Sequence, residues 1–127
     1  NDLAHTILRG AVNKHGNNIP NYHYEDLVHL IDAYNKRELA NPGIIVDTNH
    51  ANSGKDPLAQ PRIIREVIES GRNNHEIKRM VKGFMVESYI EDGAQPIGGG
   101  IYGKSITDPC LGWAKTEAMV LDLADRV

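Results

Sequence analysis

The chain has 127 residues, 40% hydrophobic and 24% charged, with a net charge of −3. That length carries one domain with a real core and is too short for two ordinary ones. Mild acidity offers no clustered basic face for nucleic acid, and no apolar run approaches the roughly 18–20 residues of a membrane-spanning helix. Neither nucleic acid nor membrane is therefore expected as a partner. No secretory leader is read at the start, and a single cysteine, Cys110, excludes an internal disulfide and fits a reducing, cytoplasmic setting.

Three strand-then-helix units follow in chain order. The first is a strand over His5–Arg9, a Gly/Asn-rich loop from Asn13 to Asn21, and a helix over Tyr24–Lys36. Leu27, Leu30, Ile31 and Tyr34 recur at helical spacing on one face of that helix, with Asp26, His29, Asp32, Lys36 and Arg37 mostly outside. Asn41-Pro42-Gly43 is a strong stop. The second unit is a strand over Ile44–Thr48, a loop over Asn49–Gln60 and a helix over Pro61–Ser70, with Ile63, Ile64, Val67 and Ile68 as buried stripe and Gly71 as C-cap. The third is a strand over Val81–Val86, a Gly-rich excursion from Asp92 to Gly103 and a helix over Thr116–Arg126. Thr116 is its expected N-cap, and Ala118, Val120, Leu121 and Leu123 its packing residues.

Alternating strands and helices argue for a parallel sheet, either a (β/α) barrel or a doubly wound sheet. Three parallel strands alone leave two edges and an uncovered face. The chain opens on Asn1, is soon in a strand, and is still helical in pattern at Val127. The expectation is a piece cut from a larger domain, or copies that associate.

His50, Glu87 and Asp108 each stand just past an apolar or strand-like run. Residues at the C-terminal ends of parallel strands point into the mouth of an α/β fold, and an imidazole with two carboxylates there suits a divalent metal ion. Singly, each has a plainer reading: a hydrogen-bonded loop histidine, a rim glutamate, an Asp-Pro turn. Their equivalent places in a repeating unit favour a shared site. Arg9, ending its strand, suits a carboxylate or phosphate, with a surface arginine as the alternative.

Gly98-Gly99-Gly100-Ile101-Tyr102-Gly103-Lys104-Ser105 satisfies the P-loop pattern. A turn-like Glu91–Pro96 before it, and Pro109 and Gly112 after it, disfavour the strand and helix that phosphate binding needs. A P-loop nucleotide binder is the least favoured reading. Cys110 has no neighbouring base and is no convincing nucleophile. His5, His15, His23, His29 and His75 show no zinc-type spacing with cysteine.

Four ordered motifs carry a resemblance. These are His5-Thr6-Ile7-Leu8-Arg9-Gly10, Asp47-Thr48-Asn49-His50-Ala51-Asn52-Ser53, Gly83-Phe84-Met85-Val86-Glu87-Ser88, and Tyr102 through Trp113. Together they resemble the C-terminal third of 3-deoxy-D-arabino-heptulosonate-7-phosphate (DAHP) synthase, of the microbial feedback-regulated type. The resemblance implies the last three strand–helix units of a TIM (β/α)8 barrel, with residues 1–127 as the C-terminal part of one barrel domain, incomplete as a barrel on its own. It implies a transferase that condenses phosphoenolpyruvate with erythrose 4-phosphate, the first step towards chorismate and the aromatic amino acids. It also implies a divalent ion such as Mn²⁺ held by His50, Glu87 and Asp108. Arg9 would bind the phosphoenolpyruvate phosphate, with His50 and Asp108 also near substrate. The family's fourth ligand, a cysteine, and its further phosphate-binding Arg and Lys residues have no counterpart here, and Cys110 matches a different cysteine. The isolated chain is accordingly expected to be inactive and homo-oligomeric. The alternative is a non-catalytic, self-associating structural fragment.

Overall fold

Ile44, Ile45 and Val46 build the central strand of a three-stranded parallel sheet, as a β-branched run should. A computed structural model describes residues 1–127. Its elements are β1 (Thr6–Leu8), β2 (Ala11–Val12), β3 (Asn18–Ile19), α1 (Tyr24–Asn35), β4 (Ile44–Asp47), the single turn α2 (His50–Ser53), a 3-10 turn at Pro57–Ala59, α3 (Gln60–Asn73), α4 (His75–Met80), β5 (Val81–Met85) and α5 (Trp113–Ala124). The sheet runs β1-β4-β5, and β2 and β3 pair separately as an antiparallel hairpin. The architecture is α/β with parallel strands in an open sheet, and no barrel closes.

One face of the sheet carries the helices. Leu8, Ile44 and Val46 pack there with Leu27 and Ile31 of α1, Ile63 and Val67 of α3, and Ile77 and Met80 of α4. The β4–β5 register runs Ile44↔Val81, Ile45↔Gly83, Val46↔Phe84 and Asp47↔Met85, so Lys82 is an extra residue in a β-bulge. Val81 and Phe84 can then both pack against the same core, which strict alternation would forbid. On the opposite face Ile7 and Met85 are exposed.

The structure departs from the sequence expectations at several element ends. The Asn13–Asn21 stretch is not all loop: β3 lies within it and pairs with β2 as a hairpin. Gly71 is no C-cap: α3 runs on through Asn73, and a Cβ at Gly71 would make only an ordinary contact, 3.5 Å from Lys78 Cα of α4. The six-residue α4 lies where the sequence pattern shows no element; Asn74 Oδ1 caps it, accepting from the Glu76 and Ile77 amides. Nor is Thr116 an N-cap. α5 begins at Trp113, and the buried Thr116 hydroxyl bonds Ser88 Oγ at 2.6 Å and the Gly112 carbonyl at 3.1 Å. α5 docks through Met119 and Leu123 onto Ile64 and Leu111, whereas Ala118, Val120 and Leu121 are exposed. That helix presents a narrower apolar stripe than its composition suggested.

Candidate metal centre

β4 ends in Asp47 and the chain turns at once into α2, with His50 at φ +47°. A left-handed backbone at a non-glycine residue costs energy and is often kept where it aims a side chain. Two buried amides hold this turn. Asn52 donates from Nδ2 to the Leu8 and Asp47 carbonyls, at 3.0 and 2.8 Å, and accepts the Asn21 amide at 2.9 Å. It thereby ties together the C-terminal ends of β1 and β4. Gln60, fully buried at the start of α3, accepts the Glu87 amide and donates to the Glu87 carbonyl, both at 2.9 Å. Asn49 Nδ2 reaches the Pro109 carbonyl at 3.4 Å, joining the turn to the segment that carries Asp108.

That segment returns to the sheet beyond β5. Ser88 bridges Leu111 in parallel, Gly93 bridges Cys110, and Ala94 bridges Ser105. The Leu111 amide donates to the Glu87 carbonyl at 2.9 Å. The three sequence-predicted ligands therefore converge. His50 Nε2 lies 3.7 Å from Glu87 Oε1 and 3.5 Å from Asp108 Oδ2, and the three donor atoms fall within 4.8 Å of one another. Ligands about 2.1 Å from a common ion in tetrahedral array stand about 3.4 Å apart. One imidazole and two carboxylates at these separations can hold a divalent cation. Lys55 Nζ sits 3.4 Å from the other Asp108 oxygen, Oδ1, leaving Oδ2 facing His50.

The other ring nitrogen is also engaged. His50 Nδ1 lies 2.7 Å from Asp47 Oδ2, and Asp47 Oδ1 accepts the Asn49 amide at 2.9 Å. Asp47 is only 2% exposed. In the sequence Asp47 stands only as the first residue of the motif around His50, with no role of its own. Its signal was there: it sits one helical turn before the histidine, on the strand's last residue.

Arg9 is not drawn into this cluster by any ion pair; it lies one residue past β1, exposed. Its backbone is nevertheless fixed on both sides, by the Asn52 bond to Leu8 and by the Gly10 amide donating to Asn21 Oδ1 at 2.8 Å. Cys110 is buried, and burial pushes its thiol pKa up, a direction the Glu87 and Asp108 carboxylates reinforce and a Ser105 hydrogen bond opposes. It is poorly suited to act as a nucleophile. No helix begins at Lys104; Ser105 instead bridges Ala94, so the Gly98–Ser105 motif lacks the helix N-terminus a P-loop needs. No helix is long and apolar enough to cross a membrane.

The DAHP synthetase I family matches residues 1–121. The chain belongs to that family. Phospho-2-dehydro-3-deoxyheptonate aldolase, Trp-sensitive, of Shigella flexneri is 35% identical over all of this chain and 34% of its own length. The tyrosine-inhibited aldolase of Schizosaccharomyces pombe is 38% identical over 95% of this chain and 32% of its own length. Among solved structures, phospho-2-dehydro-3-deoxyheptonate aldolase from Francisella tularensis superposes on the whole chain with a TM-score of 0.84, at 29% identity, over 35% of that protein. The chain thus spans about a third of the length of these DAHP synthetase I relatives.

Proposed function

We propose that this chain supplies His50, Glu87 and Asp108 to the divalent-metal centre of a DAHP synthase, as the last three strand–helix units of its (β/α)8 barrel. The observation that carries the reading is the convergence of those three donor atoms in a chain of this family. An ion bound there, Mn²⁺ or a similar one, supplies Lewis acidity towards the aldehyde oxygen of erythrose 4-phosphate. This chain's own part is orientation. Asn52 and Gln60 hold the backbone of the ligand-bearing strand ends, so the donor atoms meet with little rearrangement. The exposed, unpaired Arg9 guanidinium, carried on a braced backbone, binds the phosphate of phosphoenolpyruvate through paired N–H donors.

Calorimetric titration with Mn²⁺ tests the metal half. Binding should be seen with the 127-residue protein and be lost in His50→Ala and in a Glu87→Gln, Asp108→Asn double variant. A folded sample that takes up no Mn²⁺ would sink the reading. Phosphate release from phosphoenolpyruvate and erythrose 4-phosphate tests the rest. Turnover is expected only when the remaining two thirds of the protein is present, and Arg9→Ala should then raise the KM for phosphoenolpyruvate.

A further inference from the structure

Asp47 carries one further inference, which rests on the metal reading for its purpose but not for its test. The residue is almost wholly buried, and both its oxygens have partners: Oδ1 accepts the Asn49 amide, and Oδ2 lies 2.7 Å from His50 Nδ1. A backbone amide can only donate, and an ionised carboxylate can only accept. The His50 side chain, by contrast, has a choice of tautomer. With a carboxylate oxygen 2.7 Å from Nδ1, the proton belongs on Nδ1, and Nε2 keeps its lone pair. That lone pair is aimed at the space Nε2 shares with Glu87 Oε1 and Asp108 Oδ2. In the opposite tautomer an N–H would point at the same space and exclude a cation from it.

We propose that Asp47 is the positioning residue that fixes His50 as its Nδ1–H tautomer and so presents the Nε2 lone pair to a divalent cation held with Glu87 and Asp108. The buried ring-nitrogen partner is matched to the task, because a carboxylate in that place orients the ring and fixes its tautomer. His50 has a left-handed backbone, φ +47°, and its Nδ1 lies 2.7 Å from the carboxylate at the end of its own strand. The device is local, contained between Asp47 and His50.

The isosteric Asp47→Asn variant separates this role from a structural one. An asparagine has one acceptor oxygen. If that oxygen meets the fixed Asn49 amide, the NH₂ faces His50 Nδ1 and forces the proton to Nε2. Nitrogen-15 NMR of labelled histidine in the metal-free protein reads the tautomer directly, with His50 assigned by its loss in His50→Gln. The expected result is Nδ1–H in the native protein, Nε2–H in Asp47→Asn, and Mn²⁺ affinity about 10–100-fold weaker in the variant. An Nε2–H tautomer in the native protein overturns the inference, and decides the matter even if the variant does not fold. So does an unchanged tautomer in Asp47→Asn, whatever happens to affinity, since loss of charge alone would weaken binding without moving the proton. A switched tautomer with affinity unchanged within about twofold overturns the role in metal binding. If the native protein binds no Mn²⁺ but shows the Nδ1–H tautomer and its switch, the metal reading has failed while the positioning of His50 stands.

Discussion

The Gln60 side-chain amide pairs with both backbone groups of Glu87, accepting its N–H and donating to its C=O, each at 2.9 Å. A side chain thus does what a neighbouring strand's peptide group would do, just where β5 has run out of regular partners. Gln60 Oε1 also accepts the Thr48 hydroxyl at 3.0 Å, so one buried residue links the end of β4 to the residue that carries the glutamate.

Removing that link should be costly. Gln60→Ala leaves a void and strips partners from the Glu87 backbone, which should lower stability by about 2–4 kcal/mol in denaturant unfolding. Gln60→Glu keeps the shape but sets an oxygen against the Glu87 carbonyl, and should fail to restore stability. Native-like stability in Gln60→Glu would contradict this account.

Gly10 is held at φ +73°, and an added Cβ would stand 2.9 Å from both Ala51 Cβ and the Ile19 carbonyl oxygen. Both contacts involve main chain or its first side-chain atom, so neither can swing away. Gly10→Ala should destabilise the protein by about 1–3 kcal/mol and displace the turn that begins with His50. Thermal unfolding and Mn²⁺ titration check the two halves separately.

Asp122 on α5 accepts from Arg126 at 2.8 and 2.9 Å and from Arg65 of α3 at 2.9 Å. The Arg126 guanidinium, and then that of Arg65, hold its carboxyl well below the usual carboxylate range. A folded-state pKa below the unfolded value means stability that is present above about pH 4 and is lost as pH falls below it. Melting temperature should therefore drop between about pH 4 and pH 2 by less in Asp122→Asn than in the native protein. Parallel curves would show that this ion pair contributes nothing.

Leu111 is fully buried where the long return segment meets α5, packed with Ile64 and Met119. Truncation to alanine should cost about 2–5 kcal/mol. Hydrogen exchange should localise the loosening to α5 and to the Glu87–Leu111 pairing, leaving β1 and β4 protected.

His50 and Glu87 are legible in the sequence because β4 and β5 are; Asp108 follows no strand and reaches them on an irregular segment held by isolated bridges. An apolar run fixes where the chain emerges from the sheet, and a His or Glu at that point stands out. Asp47, Asn52 and Gln60, which hold those candidates in place, were not legible in this way. An amide that bonds backbone groups of distant segments looks, along the chain, like any loop asparagine or glutamine. Element ends failed for a related reason. Gly71 reads as a helix stop, but α3 runs on to Asn73, and its end is set by Asn74, whose side chain caps the start of α4. The extent of α5 was misjudged because Thr116 spends its hydroxyl on Ser88 across the fold and on carbonyls of the preceding turn.

The bulge at Lys82 acts as a parity switch for the whole site. Counting strictly by twos from Val81, which packs on the helical side, would send Glu87 to that same side, into the core. The one surplus residue inverts the count, so that Phe84 and Val86 go inward and Glu87 comes out beside His50. Whether a carboxylate faces the imidazole is thus decided upstream, by a lysine that touches neither.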